Sequence, residues 1–278
     1  ELVTYAAAHN LVVSSAPCSL LSETAQTLWK GLRDGLVGRV NLVYAELDDG
    51  LVHKMRYKKW ISESGAHWPY KDEFEVGCTL EHAGYYITWL VAFFGPAKQV
   101  TSFASCLIPD KETDVPLDIE SPDFSVACIE FESGITARLT CSIIAPHDHA
   151  LKIFGNEGIL FTNECWKYTS PVYLKKLTKL ALWAEKYPAV TKFLGLGPKK
   201  LSLVTHEKSR NKYRGTTDMD FARGVVNMAN AIKNSIEPVI SAEFSLHVNE
   251  IVLAIQNSQP STQTYQMTTT CKPVPPMD

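Results

Sequence analysis

The sequence predicts an α/β (α+β) fold: a mixed, mainly antiparallel open sheet with helices on one face, preceded by one αβ step of a parallel sheet. Three observations carry this expectation. The middle third of the 278-residue chain is a succession of short segments with strand patterning, separated by turn residues. Helical segments with one apolar face flank that region on both sides. The opening "ELVTYAAAHNLVVSSA" reads as a helix body, a stop at His9-Asn10, and a short buried strand at Leu11, Val12 and Val13.

Ser22 is placed to cap a helix on which Ala25, Leu28, Trp29 and Leu32 share a face, and which Gly35 ends. "GRVNLVYAELDD" follows as a strand, and residues 51–73, rich in Lys, Trp, His and Tyr, read as an irregular surface loop. A helix opens within "FEVGCTLEHAGYYITWLVAFFGP", then a strand runs from Gln99 to Ser105. "SVACIEFESGITARLTCS" forms a hairpin with Gly134 in the left-handed position of a three-residue loop. That register pairs Phe131 with Ile135, Ile129 with Ala137 and Ala127 with Leu139, and sets Cys128 opposite Arg138, so Cys128 and Cys141 are not bridged. "HALKIFGNEGILFT" adds two strands around a glycine turn. Residues 166–201, with lysines set among Leu, Trp and Phe, read as a helical insertion covering part of the sheet, a basic membrane-surface helix being the other reading. A helix from Asp218 carries Phe221, Val225, Met228 and Ile232 on one stripe. Another from Ser241 carries Phe244, Val248, Ile251 and Ile255, and the tail after Gln259 ends as a strand or extended arm.

With 45% hydrophobic residues the chain can bury a substantial core, and a net charge of −3 offers no basic surface to nucleic acid or to a membrane. The longest apolar run, Ile87 to Phe94, is too short to span a bilayer, and the first residues do not read as a signal peptide. Seven cysteines scattered without CxxC spacing point to reduced thiols in a cytoplasmic protein. Glu1 falls directly in helical sequence with no capping residue before it, so the natural N-terminus is expected upstream.

Chemistry concentrates in the central helix. Glu81 and Tyr85 are one turn apart on a face continued by Thr88 and Ala92, with His82, Tyr86 and Trp89 on the neighbouring stripe. A carboxylate one turn before a phenol can orient it or tune its acidity, as proton transfer at an alcohol or carbonyl requires. The same pair also suits a buried hydrogen-bonded contact in a core. His149, His82, Asp49 and His53 are secondary candidates for touching a substrate. His147-Asp148-His149 invites a metal reading, but two histidines on an extended segment are expected to converge less readily than a helical i, i+4 pair, so no metal is expected. There is no G-x-S-x-G elbow and no cysteine with an identifiable basic partner, which leaves hydrolase and thiol chemistry unsupported.

The run Gly77, Glu81, Tyr85, Thr88 and Gly95-Pro96 resembles the signature helix of the glucose-fructose oxidoreductase, inositol dehydrogenase and rhizopine-catabolism (Gfo/Idh/MocA) family, which reads roughly D-x-G-x-H with a Leu-Gly-Pro end. "WKGLRDGLVGRVNLV", "IFGNEGIL" and "DFARGVVNMANAIKN" are similar to further family segments in the same order, so the resemblance covers nearly the whole chain. It implies an NAD(P)-dependent oxidoreductase acting on a hydroxyl or carbonyl of a small-molecule substrate: a sugar, nucleotide sugar or cyclitol. Glu81 falls at the family's aspartate and Tyr85 at its proton-exchanging histidine, a position where some members use tyrosine. The resemblance further implies a homo-oligomer. Residues 1–17 would be the C-terminal remnant of a dinucleotide-binding Rossmann domain, and residues 18–278 the substrate-binding and oligomerisation domain. The family's glycine run is reduced to Gly77, and Cys18 and Ser19 stand near the point where an arginine is often found. Neither G-x-G-x-x-G nor E-K-P occurs, so NAD or NADP is expected to be bound mainly by a domain upstream of Glu1, and the chain as given to be inactive alone. The alternative is a non-catalytic ligand-binding or oligomerisation module that lacks a cofactor domain.

Overall fold

The structure is a computed structural model that describes residues 1–62, 64–204, 219–259 and 261–274. Helix α1 (Leu2–Ala8) ends at His9 as expected, but residues 11–13 form no strand: Leu11 is 59% and Val12 38% exposed. No described strand lies beside them to take up a ladder of backbone hydrogen bonds, so the expected αβ step is a helix followed by irregular chain. Helix α2 (Glu23–Arg33) begins where the Ser22 hydroxyl accepts the Ala25 N–H at 3.1 Å, and it buries Ala25, Leu28 and Trp29. Strand β1 (Val40–Asp48) alternates buried and half-buried residues.

The stretch expected as loop contains a helix, α3 (Tyr70–Val76), which ends at Gly77 with φ +88°. Beyond it α4 (Cys78–His82) and α5 (Gly84–Phe94) are nearly continuous, because Ala83 and Ile87 donate to the carbonyls of Thr79 and Ala83 across the joint. Strands β2 (Ala97–Ser105), β3 (Phe124–Phe131), β4 (Thr136–Ser142), β5 (Leu151–Gly155) and β6 (Gly158–Thr162) follow. The β3–β4 hairpin has the expected register, with Ala127 opposite Leu139, Cys128 opposite Arg138 and Ile129 opposite Ala137, and Gly134 at φ +81°.

Residues 166–201 are less helical than expected. They contain β7 (Tyr173–Lys176), short helices α6 (Lys179–Ala184) and α7 (Pro188–Phe193), and β8 (Lys199–Lys200). β7 extends the sheet by pairing with β6, where Phe161 stacks on Tyr173 at 5.3 Å. Helix α8 (Ala222–Asn234) has no side-chain cap, and Asp218 lies outside the described residues. Its apolar stripe is not core: Phe221, Val225 and Ile232 are each more than half exposed. Helix α9 (Ala242–Gln256), capped by the Ser241 hydroxyl, does bury Phe244, Val248, Ile251 and Ile255, and β9 (Gln263–Gln266) closes the fold.

The described strands form one sheet in the order β8-β7-β6-β5-β1-β4-β3-β2-β9, with β1 and β4 parallel and every other pair antiparallel. Its inner face, including Val43, Leu47, Ile129, Leu139 and Ile153, packs into one core with Tyr86, Trp89, Leu90 and Ile251 of the helices. Tyr44, Phe154, Phe161 and Tyr173 are half-buried on the other face. All seven cysteines are free thiols. No helix among the described residues is long and apolar enough to cross a membrane.

Candidate active site

The parallel pairing of β1 with β4 determines where the polar residues meet. Asp49 follows the last residue of β1, and its N–H is tied to the Ser142 carbonyl at the end of β4. Asp48 exchanges two backbone hydrogen bonds with Asp148, at 2.9 and 3.0 Å, which lays residues 147–149 along the strand end. His147 and His149 then fall on the same side, because residues two apart in an extended chain do so. Their ring centroids are 4.1 Å apart, so the two converge, although an extended segment is expected to bring them together less readily than a helical pair.

His149 is the centre of the cluster. Its Nε2 lies 2.6 Å from Asp49 Oδ1 and its Nδ1 2.9 Å from Glu164 Oε1, with a fully buried side chain. Two carboxylates facing both ring nitrogens require both to be N–H donors, which is the imidazolium form. Burial opposes that charge, but Asp49 and Glu164 outweigh it and push the His149 pKa up to about 9. His82 also faces two carboxylates, but both at one nitrogen: its Nε2 lies 2.8 Å from Asp49 Oδ2 and 2.6 Å from Glu81 Oε2, while its buried Nδ1 has no hydrogen-bond partner among the described residues. Burial again works against the charged ring, yet the two carboxylates raise its pKa to about 10. Burial would raise Asp49, Glu81 and Glu164, but the histidines hold all three below the ordinary carboxylate range. Glu164 is further held by the N–H groups of Cys165 and Trp166, both at 2.9 Å.

Glu81 presents this cluster to a cavity of about 210 Å³ lined by Asp49, Glu73, Glu81, His82, His147, Trp60, Trp68, Phe74 and Trp166, with Val52, Cys78 and Ile143 at its apolar base. Glu73, on α3, faces Glu81 across the Gly77 turn. Burial, then its hydrogen bond to Glu81 and the Glu81 charge, lift its pKa to about 8, so it carries a proton at neutral pH. Tyr85 lies one turn beyond Glu81, outside the cavity lining but against Trp166, with ring centroids 5.9 Å apart. Its hydroxyl makes no hydrogen bond among the described residues, and burial, then the Glu81 charge, push its pKa up to about 12. Tyr86, by contrast, is fully buried and donates to the His149 carbonyl.

Of the residues singled out by sequence, the structure brings Glu81, His82, Asp49 and His149 together and sets Tyr85 beside them. It does not bring His53, which is buried instead near the Lys111–Asp123 ion pair, its pKa lowered by burial and by Lys54. Sequence reasoning missed Glu73, Glu164 and Trp166. Glu73 lies in a stretch whose composition reads as loop, and Glu164 and Trp166 lie just past a strand end, with no spacing in the chain that ties them to Asp49 or His149.

The polar cluster thus lies at the ends of the two parallel strands, against the start of a helix. Residues 25–161 match the GFO/IDH/MocA C-terminal domain, the family that the signature helix resembles. No curated protein matches the sequence. Among solved structures the chain is similar to an NADPH-dependent oxidoreductase of Desulfitobacterium hafniense, at 17% identity over 92% of this chain and 64% of that one, TM-score 0.64. It is also similar to an Agrobacterium radiobacter oxidoreductase in complex with NAD+, L-tartaric acid and magnesium, at 12% identity over 95% and 68% of the two chains, TM-score 0.66. A third is an inositol dehydrogenase homolog of Azotobacter vinelandii complexed with NADH and myo-inositol, at 12% identity over 96% and 67%, TM-score 0.65. The chain thus spans about two thirds of the length of these relatives, and the likeness at such identities is one of fold.

Proposed function

We propose that this chain is the substrate-binding part of an NAD(P)-dependent oxidoreductase acting on a hydroxyl or carbonyl of a sugar, nucleotide sugar or cyclitol. The observation that supports it best is an ionised Glu81 at a cavity edge, one turn before a tyrosine hydroxyl with no hydrogen bond among the described residues. Among the described residues no glycine-rich turn cradles a pyrophosphate, so the chain's own residues do not fit the dinucleotide, and its part is substrate binding and proton exchange. Residues upstream of Glu1 would hold NAD or NADP, residues 1–17 being the end of that domain and 18–278 the substrate domain. A phenol with a pKa near 12 keeps its proton at neutral pH and donates it to an oxygen that is gaining charge. Glu81, fixed by His82, orients the substrate hydroxyl or the phenol. His149 and Asp49 hold His82 in place. Seven free thiols and a half-buried apolar sheet face support a cytoplasmic homo-oligomer.

The test is turnover of the NAD(P)-competent enzyme over a sugar and cyclitol panel. Tyr85→Phe should lower kcat by about 10²- to 10⁴-fold with little change in substrate affinity, and Glu81→Gln should cost less. Wild-type turnover by Tyr85→Phe would remove the tyrosine from the reaction. Absence of turnover with either nucleotide would favour the non-catalytic module.

A further inference from the structure

The lining of the cavity carries a restriction on charge, and this inference rests on reading it as the substrate site. We propose that the cavity admits uncharged or cationic polyhydroxylated rings with one apolar face, and rejects rings that bear a carboxylate or phosphate within it. One wall is aromatic: Trp60 and Trp68 meet at 5.0 Å between ring centroids, with Phe74 at 6.0 Å from Trp68. Such a wall covers the C–H face of a pyranose or cyclitol ring and attracts an ammonium group. The polar wall consists of Asp49, Glu73 and Glu81, which accept hydrogen bonds from hydroxyl or ammonium donors.

No lysine or arginine lines the cavity among the described residues. The two imidazoles that do are already matched. His82 faces Asp49 and Glu81, and His147 Nε2 lies 3.4 Å from Glu164 Oε2. An incoming anion therefore meets carboxylates with no unmatched cation to receive it, and loses its hydration without replacement. Two buried N–H donors have no hydrogen-bond partner among the described residues and are open to a neutral oxygen: Trp166 Nε1, and Nδ1 of His82, whose charge Asp49 and Glu81 already balance. The volume of about 210 Å³ holds several waters at ~30 Å³ each, and so takes one small ring.

The experiment is a titration of the chain with myo-inositol, methyl glucoside, glucosamine, glucuronate and glucose 6-phosphate, followed by tryptophan fluorescence and saturation-transfer NMR. The neutral rings and glucosamine should bind, and the two anions should bind at least tenfold more weakly than methyl glucoside. That gap should widen between pH 7 and 8 as Glu73 ionises while His149 and His82 keep their charge, and Glu73→Gln should abolish the widening. Trp60→Ala, at a position 40% exposed and so tolerant of truncation, should weaken the neutral ligands. Anions bound as tightly as the neutral rings, or no binding of any neutral ring, would overturn the proposal. Because the titration needs no nucleotide, binding as described without hydride transfer would refute only the oxidoreductase reading, whereas turnover of glucuronate in preference to glucose would refute this inference alone.

Discussion

His82 and His149 are buried imidazoles that keep their charge because each faces two carboxylates, and this makes stability depend on pH in a calculable direction. Their folded pKa values, about 10 and about 9, lie above the ordinary 6.5, so their contribution is fully present below pH 6.5 and is lost as pH rises through 9 and 10. Glu73, raised to about 8, favours its protonated form and loses its contribution as pH climbs from 4.5 through 8. Asp49, Glu81 and Glu164 are lowered, so their contributions are present above the ordinary carboxylate range and fade in acid. Stability should be greatest near pH 5–6.5 and fall on the alkaline side. A tenfold gain in proton affinity on folding is worth about 1.4 kcal/mol, and each kcal/mol moves Tm by roughly 2–4 °C in a domain of this size, so a fall of several degrees between pH 6.5 and 10 is expected by calorimetry. His82→Gln should lower the plateau and flatten that slope. An unchanged slope in this variant would show that the charge resides elsewhere.

Among the elements, the turn between α3 and α4 controls the site, since it sets Glu73 against Glu81. Gly77 sits at φ +88°, and a Cβ there would meet the Pro122 carbonyl oxygen at 2.8 Å and Ser121 Cβ at 2.8 Å. Gly77→Ala is expected to cost about 1–3 kcal/mol in urea unfolding, from left-handed backbone strain together with the clash. It should also return the Glu73 pKa toward the ordinary range, as read by carboxyl NMR titration. Ser241→Ala, which removes only the α9 cap, should cost about 1 kcal/mol and leave Glu73 unchanged. Equal titration of Glu73 in all three proteins would separate the turn from the carboxyl pair.

At the scale of the whole molecule, two apolar surfaces compete for a partner: the outer sheet face and the stripe of α8. The sheet face is the more organised, with Tyr44 and Phe154 rings at 5.0 Å, Phe161 stacked on Tyr173, and the Arg138 guanidinium 4.3 Å over Tyr44. Self-association through it is expected, because half-buried aromatic side chains on a sheet face gain by being covered further. Light scattering at micromolar concentration should give at least a dimer mass. Phe154→Glu should reduce it to the monomer, while Val225→Glu on α8 should leave it unchanged. A strictly monomeric wild type would refute the interface.

What the sequence determined by itself was local. The Gly134 loop and the alternation on either side settle the β3–β4 register, and Ser22 and Ser241 settle two helix starts, because each depends on residues only a few positions apart. Glu81 and Tyr85 were readable for the same reason, since one helical turn fixes their spacing. Tertiary structure decided the rest. Residues 11–13 look like a buried strand yet stay irregular because no described strand flanks them, and residues 173–176 look like part of a helical insertion yet become β7 because the edge of β6 offers backbone partners. The site belongs to this second group. Asp49 meets His149 through the antiparallel bridge of Asp48 with Asp148, and its own N–H is anchored at the end of β4, whose parallel partners on β1 are some ninety residues away. Pairing at that range is selected by packing over the whole core, and periodicity along the chain carries no record of it.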